Sequence, residues 1–233
     1  MNDPNSRDNS LDQPSENHLY VISAGRFVGR FEDLYNNVGD PWNQSEDVIV
    51  NESRRLLTVE WCRKLAAKKV GGQRLRVVEF GCGFGFMTAR LRDLGFNAWG
   101  VDISKTAISK ARRTHRSNRF IIGNICDEQL LHRLKPDVIV MAEITWYILP
   151  ELAAVLRNLQ KEAQSRDQPL YLIHMLATYS PGEQGYGTEF FTTHDEILEY
   201  FQLKYLEAAS FFRPSNSPTV NPSYGSFFVA ELR

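Results

Sequence analysis

Cysteine is scarce in this sequence. Three occur, Cys62, Cys82 and Cys126, an odd number with no CxxC pair. Neither a disulfide framework nor a zinc cluster is expected, and no metal site is predicted. No apolar run approaches the roughly 20 residues that span a bilayer. An excess of one charge is missing too: the formal net charge is −1, so no global field draws the chain toward nucleic acid or an anionic membrane. The first 18 residues, MNDPNSRDNSLDQPSENH, lack the basic start and apolar middle of a signal peptide. Rich in Asn, Asp, Ser and Pro, they bury too little to offset the entropy of ordering, and residues 1–18 read as a disordered tail. A cytoplasmic protein is the simplest account.

What is present is a chain of 233 residues, 42% hydrophobic, enough for one large core and one domain over 19–233. From Leu75 onward short apolar runs alternate with helical patterns. Strands are predicted at 75–80, 98–101, 120–122, 137–142 and 170–175. Helices are predicted at 87–94, 105–115, 128–134, 151–164 and 194–201, with Ser104 suited to an N-cap and the Thr192-Thr193 pair to the start of the last helix. Two extended segments, 204–212 and 226–232, are joined by RPSNSPTVNPSYG, which has no helical period; segments so joined pair antiparallel. The expected fold is α/β, a three-layer Rossmann-like seven-stranded sheet, mostly parallel and finished by a C-terminal antiparallel hairpin.

The strongest local signal is Glu79-Phe80-Gly81-Cys82-Gly83-Phe84-Gly85 between a predicted strand and a predicted helix. Alternating glycines let the backbone turn sharply and admit a ligand closely. A dinucleotide fingerprint requires glycine where Phe86 stands, and a phosphate loop requires Gly-Lys-Ser/Thr, which is missing. A carboxylate at Glu79 would repel phosphate but suits a cationic amino-acid moiety, such as that of S-adenosylmethionine (SAM). Asp102 closes the second strand, where an acid accepts hydrogen bonds from ribose hydroxyls.

The segments VVEFGCGFG, GVDIS, FIIGN and DVIVMAEITWYIL resemble, in order and spacing, the motifs of class I SAM-dependent methyltransferases. The resemblance covers residues 74–176. It implies that Glu79, Phe80, Gly81, Cys82, Gly83 and Gly85 surround the methionine part of SAM. By the same resemblance Asp102 holds the ribose, and Ile103, Asn124 and Ile125 lie beside the adenine. Asn124 departs from the acid usual there, though an amide still hydrogen-bonds. Phe31-Glu32-Asp33-Leu34-Tyr35, Asp40-Pro41-Trp42 and Glu52-Ser53-Arg54 are similar to the front of the nodulation NodS-like methyltransferases, which modify an amine on a chitooligosaccharide. Thr145 and Trp146 depart from that group. The similarity implies an N-terminal helical cap over 19–73, from which Tyr35, Trp42 and Arg54 close over the cofactor.

Methyl transfer from SAM is an in-line displacement on an activated carbon, so positioning the acceptor does much of the work. Candidates for acceptor positioning or proton removal are Glu143 and Tyr147, beyond the fourth strand, and His174, within the fifth. Residues 177–192, with Tyr179, Tyr186, Glu189 and Phe190, read as a mobile aromatic acceptor loop. The partner expected is a small-molecule acceptor, an amine or hydroxyl of a sugar or glycan, with no membrane role. Three alternatives remain open: an RNA methyltransferase using the basic helix from Lys105 to Arg119, a non-catalytic SAM-binding module, and a nicotinamide oxidoreductase. Oligomeric state is not readable.

Overall fold

The computed structural model describes residues 19–45, 49–69, 72–214 and 223–232, with backbone only at 49–54, 213 and 223; the tail expected over 1–18 lies outside the described residues. The described chain begins with an antiparallel hairpin, β1 (Ile22–Ser23) and β2 (Arg26–Phe27), followed by α1 (Phe31–Asn37) and α2 (Ile49–Lys68). The hairpin was not expected in a helical cap. Its strands have two residues each, too few to alternate, and both turn residues, Ala24 and Gly25, have positive φ (48° and 71°). That turn geometry is signalled in sequence by Asn-Gly or Asp-Gly, not by Ala-Gly.

Strand and helix then alternate: β3 (Arg76–Phe80), α3 (Phe86–Asp93), β4 (Asn97–Asp102), α4 (Lys105–His115), β5 (Phe120–Ile122), α5 (Glu128–Leu134), β6 (Val138–Ala142), α6 (Leu152–Gln164), β7 (Leu170–Thr178), α7 (His194–Phe201), β8 (Lys204–Arg213) and β9 (Ser223–Leu232). These are the expected elements, shifted by a residue or two at most ends and by three at the front of β9 and the end of β7. The sheet runs β5-β4-β3-β6-β7-β9-β8, parallel as far as β7, with β9 antiparallel to both its neighbours.

Caps fix the helix starts. Ser104 Oγ accepts the Ala107 N–H at 3.0 Å, and Thr193 Oγ1 that of Glu196 at 3.2 Å. Asp127 accepts from Gln129 at 2.9 Å at the head of α5; each such cap contributes about 1 kcal/mol. Alternate strand residues face opposite layers. Val77, Val140, Ile173 and Val229 meet Val59, Cys62 and Leu65 of α2 and Leu91 of α3. Val78, Ile139, Leu172 and Phe228 meet Leu130, Val155, Leu159 and Phe201 of α5, α6 and α7. Both faces being covered, the strands read as unbroken apolar runs.

Candidate active site

Open α/β sheets bind ligands beyond the carboxyl ends of their strands, where the strand order reverses. Here the chain goes from β3 outward to β4 and β5, then returns to lay β6 on the other side of β3. A cavity of about 800 Å³ opens at that point. Its floor is built from the ends of β3, β4, β6 and β7.

The glycine loop forms one wall. Gly81 and Gly85 have φ of 70° and 78°, a region only glycine enters without strain. A Cβ on Gly81 would overlap Ile144 Cγ2, and one on Gly85 would overlap the buried ring of Phe120. Gly81 and Cys82 line the cavity, whereas Gly83 and Gly85 stand behind it and shape the turn. The Gly83 N–H donates to Asp102 Oδ2 at 2.9 Å, and Oδ1 accepts the Ser104 N–H at 2.9 Å. Asp102 thus ties the glycine loop to the head of α4 while facing the cavity. Burial pushes its carboxyl above the usual range, and these N–H groups oppose the shift.

Glu79 is buried at the end of β3 and accepts a hydrogen bond from the Thr88 hydroxyl. Burial raises its carboxyl to about 7, against the pull of Thr88 and of the Arg55 charge. Arg55 and Thr58 lie one turn apart on α2 and both line the cavity. Thr58 Oγ1 is fully buried with no partner among the described residues. Arg55 donates to the Gln44 carbonyl at 2.5 Å, and Gln44 Oε1 accepts the Phe84 N–H at 2.8 Å. This bridges α2 to the glycine loop.

The roof is α1 and the segment after it. Glu32 accepts the Ser104 and Thr106 hydroxyls, each at 2.7 Å, which clamps α1 on the N-terminus of α4. Trp42 Nε1 donates to the Tyr35 hydroxyl at 3.0 Å. The Tyr147 ring packs against Phe31 at 5.3 Å and Trp42 at 5.7 Å between centroids. Glu143, just past β6, has φ 63°, a strained conformation for a residue with a side chain. Two bonds impose it: its N–H donates to the Met175 carbonyl at 2.8 Å, and its Oε2 accepts the Ala177 N–H at 2.7 Å. Burial, then the Glu143 charge, raise the Tyr147 hydroxyl above its ordinary range, so it stays protonated at neutral pH.

Of the residues expected at the site, Trp42, Glu79, Phe80, Gly81, Cys82, Asp102, Ile103, Asn124, Ile125, Glu143 and Tyr147 all line this one cavity. Arg54 lies where only backbone is described, so that expectation falls outside the described side chains; its neighbour Arg55 lines the cavity. His174 is corrected. It is fully buried on the α7 side of β7, stacked on Phe228 at 4.5 Å, with Nε2 bonded to Thr145 Oγ1 at 2.7 Å. Burial lowers it to about 3. It pins the turn that carries Trp146 and Tyr147 and does not reach the cavity. Sequence reasoning missed Gln44, Arg55, Thr58, Phe31 and Glu151, all of which line it. The Arg55–Thr58 spacing, with Val59 and Cys62 on the core side, was the available signal.

The cavity fits a SAM-sized ligand with a polar end. The orphaned Thr58 hydroxyl, the Arg55 guanidinium and the Glu79 carboxyl converge there, and the Gly81 cradle leaves room for close approach. Among the described residues no three His, Cys, Asp or Glu side chains gather as a metal cluster, and no helix is long and apolar enough to cross a membrane.

Residues 78–163 match the family model of a methyltransferase domain. No curated protein sequence matches the chain. Among solved structures it is similar to WbdD, described as a bifunctional kinase-methyltransferase, with TM-score 0.56 and 20% identity over 82% of this chain and 43% of that one. The chain therefore spans less than half the length of WbdD. It is also similar to the N-methyltransferase NodS from Bradyrhizobium japonicum in complex with S-adenosyl-L-homocysteine (SAH), with TM-score 0.55 and 15% identity over 86% and 97%. Magnesium protoporphyrin IX methyltransferase from Synechocystis, with bound SAH, gives TM-score 0.54 and 16% identity over 87% and 98%. The glycine loop, the sheet order and the domain match agree: residues 78–163 match a methyltransferase domain, and the chain has the Rossmann-like fold of the SAH-bound methyltransferases it resembles, with a cavity that fits SAM.

Proposed function

We propose that this protein transfers the methyl group of SAM to a small-molecule acceptor, an amine or hydroxyl on a sugar or glycan. The observation that carries the reading is one cavity lined by the glycine loop and Asp102 together with Glu143 and aromatic rings. SAM supplies an electrophilic methyl on a sulfonium. Glu79, Arg55 and Thr58 would hold its amino-acid end, Asp102 its ribose, and Ile103, Asn124 and Ile125 its base. Phe31, Trp42 and Tyr147 close the reacting centre from water, which strengthens every polar contact inside. Residues 177–192 act as the acceptor loop. In support, Tyr179 lines the cavity and Tyr186 stacks on Phe27 at 6.5 Å.

The RNA reading loses support because much of the basic helix is engaged within the protein. Lys110 donates to the Tyr35 carbonyl at 2.9 Å, Arg112 to that of Phe120 at 2.7 and 2.9 Å, and Arg119 lies over Trp99 at 5.0 Å. The test is calorimetric titration with SAH of wild type and Asp102→Ala. The substitution removes the ribose acceptor and leaves the Gly83 and Ser104 N–H groups without theirs, so about 10- to 100-fold weaker binding is expected. Absence of SAH binding by folded wild type would overturn the reading.

A further inference from the structure

The β1–β2 hairpin meets the 177–192 loop across a joint. The tip of the hairpin comes so near the loop that a Cβ on Gly25 would stand 2.7 Å from the Gly185 carbonyl oxygen. Nearby, the Phe27 ring stacks on that of Tyr186, with centroids 6.5 Å apart and planes 23° from parallel. Phe27 of the hairpin and Tyr179 of the loop both line the cavity, and each is 38% exposed to solvent. Both therefore stand at the rim of the cavity. Gly25, Gly185 and Tyr186 lie outside its lining.

Each half of the joint is bonded internally. The Val21 carbonyl accepts the Val28 and Gly29 N–H groups at 2.7 and 3.3 Å, and the Arg30 side chain donates to the Leu19 carbonyl at 2.9 Å, closing the base of the hairpin. In the loop, Gln184 Nε2 donates to the Tyr186 and Phe191 carbonyls at 3.0 and 2.8 Å. Tyr179 and Phe191 pack on the Trp146 ring at 5.4 and 5.5 Å. Between the halves, among the described residues, no hydrogen bond crosses; the ring stack and the close approach at Gly25 hold them together. Two internally bonded bodies so joined part at the joint before either comes undone. We propose that hairpin and loop form a clasp over the mouth of the cavity, and that parting Gly25 from Gly185 and Phe27 from Tyr186 is the step by which ligands enter and leave. This rests on reading the cavity as the SAM site and adds how that site is opened. A ring pair of this kind is worth about 2- to 10-fold in a closed-to-open ratio, which favours closure and still leaves frequent opening. Closed, the clasp helps to keep water from the reacting methyl.

The experiment is stopped-flow binding of SAH, read by tryptophan fluorescence because Trp42 and Trp146 line the cavity. Two variants open the joint without altering the lining. Gly25→Asn sets a wedge against Gly185, in a residue type that tolerates the left-handed φ of 71° at this position. Tyr186→Leu keeps apolar bulk and removes the stack. A gate acts on passage in both directions. Association and dissociation are therefore each expected to quicken about 2- to 10-fold in both variants, with the dissociation constant changed less than twofold. Association quickened by less than twofold in either folded variant overturns the clasp. So does a dissociation constant shifted more than twofold, the signature of a damaged binding wall and not of an opened gate. Both of those outcomes leave the cofactor site standing, because wild type still binds SAH. Failure of folded wild type to bind SAH at all removes the reading of the cavity itself, and this inference with it.

Discussion

Measuring SAH affinity against pH, in wild type and in Glu79→Gln, probes the charge that the glycine loop presents. The Glu79 carboxyl is raised from 4.5 to about 7 by burial. The groups facing it are the Thr88 hydroxyl and N–H and the Arg55 charge, which lower it, and the Asp102 charge, which raises it. A ligand ammonium selects the ionised form. Affinity is therefore full above pH 7 and is lost as pH falls through 7. If binding requires the carboxylate, the dissociation constant scales as one plus the protonated-to-ionised ratio: about 11-fold weaker at pH 6 and about 30-fold weaker, or ~2 kcal/mol, at pH 5.5. Near pH 7 binding releases about half a proton, visible as a dependence of the apparent enthalpy on the buffer's ionisation heat. The Gln variant keeps a hydrogen-bond partner for Thr88 but has no proton to lose, so its weaker binding is flat with pH. A wild-type constant that changes less than twofold between pH 6 and 8.5 would refute the reasoning, as would a Gln variant with the wild-type slope.

Thr58→Val removes a fully buried hydroxyl with no partner among the described residues. Unliganded stability in denaturant melts should rise by about 1 kcal/mol while SAH affinity falls, because the orphan atom is satisfied only by ligand. His174, held near 3 in the fold, is neutral there while the unfolded chain takes up a proton below 6.5. Its contribution is full above pH 6.5 and is lost toward pH 3 at ~1.4 kcal/mol per pH unit. Glu79 has the opposite slope in the unliganded protein from 4.5 to 7, so wild-type stability from these two groups is level between pH 4.5 and 6.5. His174→Met exposes the Glu79 slope alone, with urea stability falling as pH rises through that window; a level profile in the variant would contradict both assignments. Lys135, which ends α5 at φ 45°, is a left-handed position suited to glycine. Lys135→Gly should gain about 1 kcal/mol in a thermal melt.

Strand and helix order was legible from Leu75 onward because the core is large. Covered on both faces, β3, β6 and β7 read as apolar runs, and side-chain caps at Ser104 and Thr193 mark helix starts. The glycine loop was legible for a different reason: only glycine tolerates Gly81 beside Ile144 and Gly85 beside Phe120, so the chemistry of the turn is written in residue type. What the sequence did not disclose are choices of face. On β7, Ile173 and Met175 pair with Val140 and Ala142 on the α2 side, where the cavity lies, while His174 pairs with Met141 and turns to α7. A shift of one residue on a strand exchanges the two faces, and an uninterrupted apolar run carries no mark of which is which. On α2, adjacent residues differ by about 100° around the axis, and Arg55 is the arginine whose described side chain lines the cavity. A hydroxyl three residues after Arg55 and beside Val59 is a polar group pointed at the core side of the helix. In a folded chain such a group is expected to meet a partner, and Thr58 Oγ1 has none among the described residues.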